Sequence, residues 1–144
     1  MRFGWESEIP RPLEEVQTLL EDPQTPLAWQ PGLQRIDPLT GEPGRAGSVS
    51  RYVFDLNGTP YYLTETVVTD RLPEDRTVSY RGRGMRHQIT TSLDPVDADT
   101  TTVRRVHAGH LTGLQRPLAL FLRKAFRQRW RVEFAELCRY LERA

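Results

Sequence analysis

The sequence has few of the residues that build metal sites or disulfides. It contains one cysteine, Cys138, and three histidines in 144 residues. A single cysteine cannot form an intrachain disulfide, and this set excludes a cysteine-rich zinc site. No pair of histidines stands with a carboxylate at the spacing of an iron site. We therefore expect no metal and no cofactor, and we interpret Cys138 as a buried small residue rather than a nucleophile.

Long apolar runs are also missing. The longest apolar stretches span a few residues, whereas a helix that crosses a membrane needs roughly 20. Residues 1–6 form no apolar signal core, and the net charge of +1 argues against a general nucleic-acid binder. Neither a glycine-rich phosphate loop nor a Gly-x-Ser-x-Gly elbow is present. We expect a cytoplasmic monomer or homodimer, without stable membrane insertion and without a nucleic-acid partner.

The overall composition is that of a globular protein. Hydrophobic residues make up 38% of the chain and charged residues 27%, and a chain of this length can bury a sizeable core. No internal repeat or linker interrupts the sequence. We expect one domain that spans residues 1–144.

The first third of the chain predicts one strand followed by short helices. Residues 2–9 alternate in polarity, which is typical of a half-buried strand. Pro12 suits the first turn of a helix, and apolar positions recur at helical spacing over residues 13–20. The proline-rich segment that follows contains Trp29, and it predicts short helical turns, loops and one short strand near residues 33–36.

Two turns fix the register of the next strands. Asn57 and Gly58 form a strong two-residue turn signal, which pairs Ser50 with Glu65 and turns Glu65 toward the buried face. That face carries Tyr52, Phe54, Leu56, Tyr61, Leu63 and Val67.

A second turn at Arg83 and Gly84 pairs Tyr80 with His87 and Val78 with Ile89. All apolar side chains of these two strands then share one face, and a slip of one residue would bury the arginines.

For the last strand, residues 101–111, the sequence allows two assignments of the inward face. Either Val103, Arg105, His107 and Leu111 point inward, or Val106, Ala108 and His110 do. The larger aliphatic side chains favour the first set.

One long helix is predicted from about Leu114 to Glu142. Its first half carries six basic residues and no acidic ones, which we interpret as a solvated outer face rather than a membrane-binding surface. An apolar stripe runs along the whole helix, formed by Leu118, Phe121, Leu122, Ala125, Phe126, Trp130, Phe134, Leu137, Cys138 and Leu141.

The order of elements, together with several local segments, resembles one known superfamily. The segments are residues 9–16 at the first strand-to-helix corner, 29–33, 44–48, 63–67 with 72–74, 101–103 and 137–141. Together they resemble the SRPBCC (START-like) superfamily, and within it the polyketide cyclase/dehydrase-like small proteins. The resemblance implies an α+β helix-grip fold, in which a curved antiparallel sheet wraps around one long C-terminal helix and two short helices follow the first strand. It also implies a cavity for a lipid, sterol, polyketide or other apolar ligand.

The inward faces and the resemblance together give a set of candidate ligand-binding residues. Alternatively, the same side chains simply fill the hydrophobic core. The set comprises Trp29, Tyr52, Phe54, Tyr61, Leu63, Tyr80, Met85, His87, Ile89, Phe121 and Leu122.

Glu65, His87 and His107 are candidate catalytic residues. A carboxylate that faces an apolar cavity has a raised pKa, and a neighbouring imidazole can share its proton. Such a pair can enolise a ketone and assist an aldol-type ring closure, as in a cyclase of the lyase or isomerase kind. An ion pair of Glu65 with Arg51 or Arg105 is the structural alternative. The chain is thus a carrier or sensor of an apolar metabolite, a cyclase, or an interaction module whose pocket is vestigial.

Overall fold

The computed structural model describes residues 1–111 and 116–144. Within these residues, seven antiparallel strands form one sheet in the order β1-β7-β6-β5-β4-β3-β2. The elements are β1 (Arg2–Ile9), α1 (Leu13–Glu21), α2 (Pro26–Trp29), β2 (Leu33–Thr40), β3 (Val49–Leu56), β4 (Thr59–Arg71), β5 (Asp75–Gly82), β6 (Met85–Asp97), β7 (Thr100–Leu111) and α3 (Arg116–Arg143). The α+β helix-grip architecture is confirmed, with two short helices after the first strand and one long helix at the end.

Both predicted hairpin registers are confirmed. Asn57 and Gly58 have φ values of 53° and 86°, which is the conformation that a tight hairpin turn requires at both central positions. Across this turn Ser50 pairs with Glu65, and across the next turn Tyr80 pairs with His87. Glu65, Tyr80 and His87 therefore share one face of the sheet, and all three are buried.

The edge strand β2 is longer than the sequence indicates. A short strand was expected at residues 33–36, but β2 spans Leu33–Thr40 and includes Pro38. Proline is tolerated there because β2 lies at the edge of the sheet, where its missing N–H costs no ladder hydrogen bond.

The inward face of β7 is the first of the two predicted alternatives. Val103, Arg105 and His107 are buried, whereas Ala108 is half-buried and His110 is exposed. An arginine and a histidine thus enter the interior side by side with aliphatic residues.

The apolar stripe of α3 is buried over only its second half. Trp130, Phe134, Leu137 and Leu141 are buried, and the last three join a core cluster with residues of β1, α1, β6 and β7. Leu118, in contrast, is 48% exposed. A helix of 28 residues is about 42 Å long at 1.5 Å per residue, which exceeds the roughly 30 Å of a small domain.

One end of α3 therefore projects beyond the core. The expected helix start at Leu114 lies outside the described residues. Among the helices that the structure does describe, none is both long enough and apolar enough to pass through a lipid bilayer.

Candidate functional site

Two cavities flank Tyr80, and the larger of them lies between the sheet and the segment that carries α1 and α2. Its volume is about 90 Å³, well above the roughly 10–15 Å³ that a cavity needs to hold one water. Trp29, Tyr52, Tyr80 and Leu137 supply aromatic and aliphatic walls. The charged lining residues are Asp22, Glu65, Arg76 and Arg105. The cavity thus combines apolar surface with a few polar groups, which is the usual character of a small-molecule site.

A second cavity, of about 20 Å³, lies against α3. Tyr80 also lines this cavity. The other strand residues that line it are Phe54, Tyr61, Leu63, Met85, His87 and Ile89, and the helix closes it with Phe126, Arg129, Trp130 and Glu133. This volume holds one or two waters at most, so it is too small for an organic ligand as the side chains stand.

The structure divides the candidate ligand-binding residues between the two cavities. Trp29, Tyr52 and Tyr80 line the larger one, whereas the remaining strand residues of the set line the smaller one. These residues were expected to line one pocket, but they line two neighbouring cavities, and Tyr80 lines both. Contact with a ligand stays a prediction for all of these residues.

The expectation that Phe121 closes the pocket was wrong, and the half-buried Leu122 lies outside both cavities. Phe121 is 69% exposed, and neither residue lines either cavity. Phe126 and Trp130 take this position because α3 meets the sheet one to two turns nearer its C-terminus. The apolar periodicity continues through the projecting end of α3, so it carries no signal for where contact with the sheet begins.

Glu65 is hydrogen-bonded to a tyrosine rather than to a histidine. The Tyr80 hydroxyl donates to Glu65 Oε2 at 2.6 Å, and both side chains are buried. Burial, and then the negative charge of Glu65, hold the pKa of Tyr80 well above its usual range. The same two causes raise the pKa of Tyr52 in the same cavity. Both phenols therefore stay protonated at neutral pH and can act as donors.

Glu65 and His87 do not form the expected proton-sharing pair. The register places Glu65 opposite Tyr80 and Tyr80 opposite His87, so the tyrosine stands between the two groups. Within the described residues, no ion pair within 4.0 Å joins Glu65 to Arg51 or Arg105 either.

His87 and His107 belong to a stack of rings beneath α3. The centroid of Trp130 lies 5.2 Å from that of His87 and 4.9 Å from that of His107. Burial, helped by the positive charge of Arg105, lowers the pKa of His87 to about 4 and that of His107 to about 2. Both rings are therefore neutral at pH 7. His107 lines neither cavity, which removes it from the candidate site.

Arg105 is the site residue that the sequence interpretation missed. It was placed on one of two possible inward faces but was given no role in binding. Its guanidinium carbon lies 5.3 Å from the centroid of the Trp29 ring, and the residue is 7% exposed. Its Nε and Nη1 atoms are buried without a hydrogen-bond partner. The sequence did contain a signal for its inward orientation, because Arg105 alternates with Val103 and His107 along the strand.

Helix α3 contributes a second buried carboxylate. Glu133 is 6% exposed, and Arg129 Nε donates to its Oε1 at 3.3 Å. Burial raises the pKa of Glu133, whereas the Arg129 charge opposes that change. The guanidinium of Arg129 also lies 5.8 Å from the Phe54 ring centroid. The pair closes the smaller cavity over the sheet.

Comparison with known families gives one match that covers nearly the whole chain. The sequence profile of the family described as polyketide cyclase/dehydrase and lipid transport matches residues 5–142. A search of curated proteins gave no match.

Several solved structures have the same fold at low sequence identity. The di-domain ARO/CYC BexL of the BE-7585A biosynthetic pathway is 20% identical with a TM-score of 0.81, over 99% of this chain and 46% of that one. The protein TTHA0849 from Thermus thermophilus is 20% identical with a TM-score of 0.75, over 99% and 94%. Norcoclaurine synthase from Thalictrum flavum, solved with dopamine and hydroxybenzaldehyde, is 13% identical with a TM-score of 0.74, over 100% and 88%.

Proposed function

The chain belongs to the polyketide cyclase/dehydrase and lipid transport family, and from this premise we propose that it binds a small apolar or amphipathic molecule as a carrier or sensor. Family and fold together indicate a domain that binds hydrophobic ligands. The observation that carries the proposal is the larger cavity of about 90 Å³. An interior without any cavity would favour an interaction module instead, so the presence of this cavity supports the binding role.

The side chains around this cavity suit an amphipathic ligand. Tyr52 and Leu137 offer apolar contact surface, and Trp29 adds an indole ring from α2. Glu65 and the protonated phenols add polar groups that fix orientation.

The first test is to look for the ligand directly. A native mass spectrum of the purified protein is expected to show a retained small molecule, or the protein is expected to displace a fluorescent lipid analogue. If neither measurement detected a bound molecule, the proposal would be refuted.

A matched pair of variants locates the binding to the cavity. Ser50 is buried in the cavity wall, whereas its neighbour Arg51 is exposed. Ser50→Leu is expected to weaken displacement by about tenfold through loss of volume, and Arg51→Leu is expected to leave it unchanged. Equal affinities in the two variants would place the ligand elsewhere. Circular dichroism and thermal melting confirm that both variants fold.

A second candidate function is enolisation of a ketone, and the hydrogen bond between Glu65 and Tyr80 favours it. Glu65 would remove a proton from the carbon next to a ketone, and the resulting enolate carbon would attack a second carbonyl to close a ring. The proton would then return from Glu65 to the new alkoxide. Tyr80 would donate its hydroxyl hydrogen bond to the carboxylate and set its orientation.

Deuterium exchange tests this candidate without a known substrate. The protein is expected to accelerate exchange at the α-carbon of cyclohexanone, and Glu65→Gln is expected to abolish the acceleration while leaving cyclohexanone affinity within about threefold. Equal exchange rates for the two proteins would remove Glu65 from any such mechanism.

The remaining assignments are also proposals. We propose that residues 1–144 form one domain, which the family match over residues 5–142 supports. We also propose that the protein is a cytoplasmic monomer or homodimer without a nucleic-acid partner. Light scattering after size exclusion, with and without a DNA fragment, tests the oligomeric state and the absence of binding to DNA.

A further inference from the structure

Of the four charged residues around the larger cavity, three have partners within the protein. Asp22 Oδ1 accepts the backbone N–H of Gln24 at 2.9 Å. Glu65 accepts the Tyr80 hydroxyl. Arg76 donates to the carbonyl of Leu20 at 3.3 Å and lies 4.0 Å from Asp70.

Arg105 is the exception. Among the described residues, none forms a hydrogen bond or an ion pair within 4.0 Å with its guanidinium, and its Nε and Nη1 donors are buried without an acceptor. The side chain is 7% exposed and lines the cavity. Native proteins rarely leave a charged group in this condition, because loss of hydration is then uncompensated.

The protein stabilises this cation only in part. Trp29 places its ring against the guanidinium, and a cation–π contact offsets part of the lost hydration without accepting an N–H hydrogen bond. Burial lowers the pKa of Arg105, but the guanidinium keeps its proton because its intrinsic pKa is very high. The buried carboxylate of Glu133 attracts this charge, but Glu133 is hydrogen-bonded to Arg129. In the part of the chain that the structure describes, no carboxylate lies within ion-pair distance of Arg105, so a fixed positive charge stands in the cavity wall without a directly bonded counter-ion.

We propose that the ligand of the larger cavity carries a carboxylate or an equivalent oxyanion, and that Arg105 binds this group. The proposal rests on the binding function proposed above and narrows its ligand class to amphipathic acids. An oxyanion beside Arg105 supplies the missing hydrogen-bond acceptor, and hydrogen bonds between ionised partners are stronger than those between neutral ones. The apolar part of the acid then packs on Tyr52 and Leu137, which line the same volume.

Matched pairs of probes test the charge requirement. Benzoate is compared with benzamide, and hexanoate with hexanamide, by isothermal titration calorimetry at neutral pH. Each pair keeps the apolar part and nearly the same shape but removes the charge. The acids are expected to bind at least about tenfold more tightly than the amides, as for a hydrogen bond to a charged group.

Two variants assign the effect to Arg105. Arg105→Gln is expected to abolish the preference for the acid while amide affinity stays within about threefold. Arg104→Gln is the matched control, because Arg104 is the next residue on β7, is exposed, and pairs with Glu6 at 2.9 Å. It is expected to keep the full preference for the acid. Thermal melting of each variant establishes that it is folded, and benzoate is expected to raise the melting temperature of the wild type but not of Arg105→Gln.

The outcomes separate this inference from the function on which it rests. Equal binding of acids and amides by the wild type overturns the assignment of an acid but leaves the binding cavity in place. A preference for acids that survives in Arg105→Gln overturns the role of Arg105. Absence of binding by all four probes, together with an empty native mass spectrum, overturns both proposals.

Discussion

Two buried histidines should make the fold sensitive to mild acid. Each ring has a usual pKa of 6.5, which burial lowers to about 4 in His87 and to about 2 in His107. At pH 7 both rings are neutral in the folded and unfolded chains alike. As the pH falls below 6.5, the unfolded chain takes up protons that the folded chain does not, so the free energy of unfolding must decrease.

The size of this effect follows from the width of the window. Between pH 7 and pH 4.5 each histidine removes roughly 2–3 kcal/mol, because one pH unit below the unfolded pKa corresponds to about 1.36 kcal/mol. The two together remove about 5 kcal/mol, which is a large part of the roughly 5–15 kcal/mol of a typical domain.

Urea denaturation at pH 7 and at pH 4.5 measures this loss. His107→Leu removes a ring whose two nitrogens have no partner, and it is expected to reduce the loss on acidification by about 3 kcal/mol. His110→Leu is the matched control because His110 lies on the same strand but is exposed, and it should show the loss of the wild type. If the wild type and His107→Leu lost equal stability on acidification, the burial argument would be refuted.

Three further variants test packing and hydrogen bonding. Trp130→Ala is expected to lower the free energy of unfolding by about 3–5 kcal/mol in urea denaturation, whereas Val132→Ala, at an exposed position of the same helix, should cost less than about 1 kcal/mol; equal costs would contradict the placement of α3. Gly109→Ala would place a Cβ atom 3.1 Å from the Trp130 ring, and it is expected to cost about 1–3 kcal/mol; an unchanged melting temperature would contradict that close approach. Tyr80→Phe removes the hydroxyl that donates to the buried Glu65 and is expected to cost about 1.5–3 kcal/mol. The cost is expected to be smaller in a Glu65→Gln background, and equal costs in both backgrounds would exclude the coupling.

The register of the sheet could be predicted from sequence because two local signals agree. The turn at Asn57 and Gly58 fixes which residues pair, and the strict alternation of side chains then assigns every position to a face. Glu65 was placed inward on this basis alone, against its charge, and it is buried.

The details of the site could not be predicted because they depend on distances between elements that are remote in sequence. The apolar stripe of α3 continues past its contact with the sheet, so periodicity placed Phe121 in a pocket when it is 69% exposed. Likewise, Arg105 could be turned inward by alternation, but its lack of a partner follows from the positions of every neighbouring strand and helix.

The most direct measurement of the central claim is to locate a small ligand inside the protein. A crystal soaked with 4-bromophenol, which is amphipathic and uncharged at neutral pH, would reveal the bromine by its anomalous scattering. We expect one bromine peak in the larger cavity, among Trp29, Tyr52 and Tyr80. A bromine found only at the surface or at the projecting end of α3, with this cavity filled by ordered water, would contradict the account.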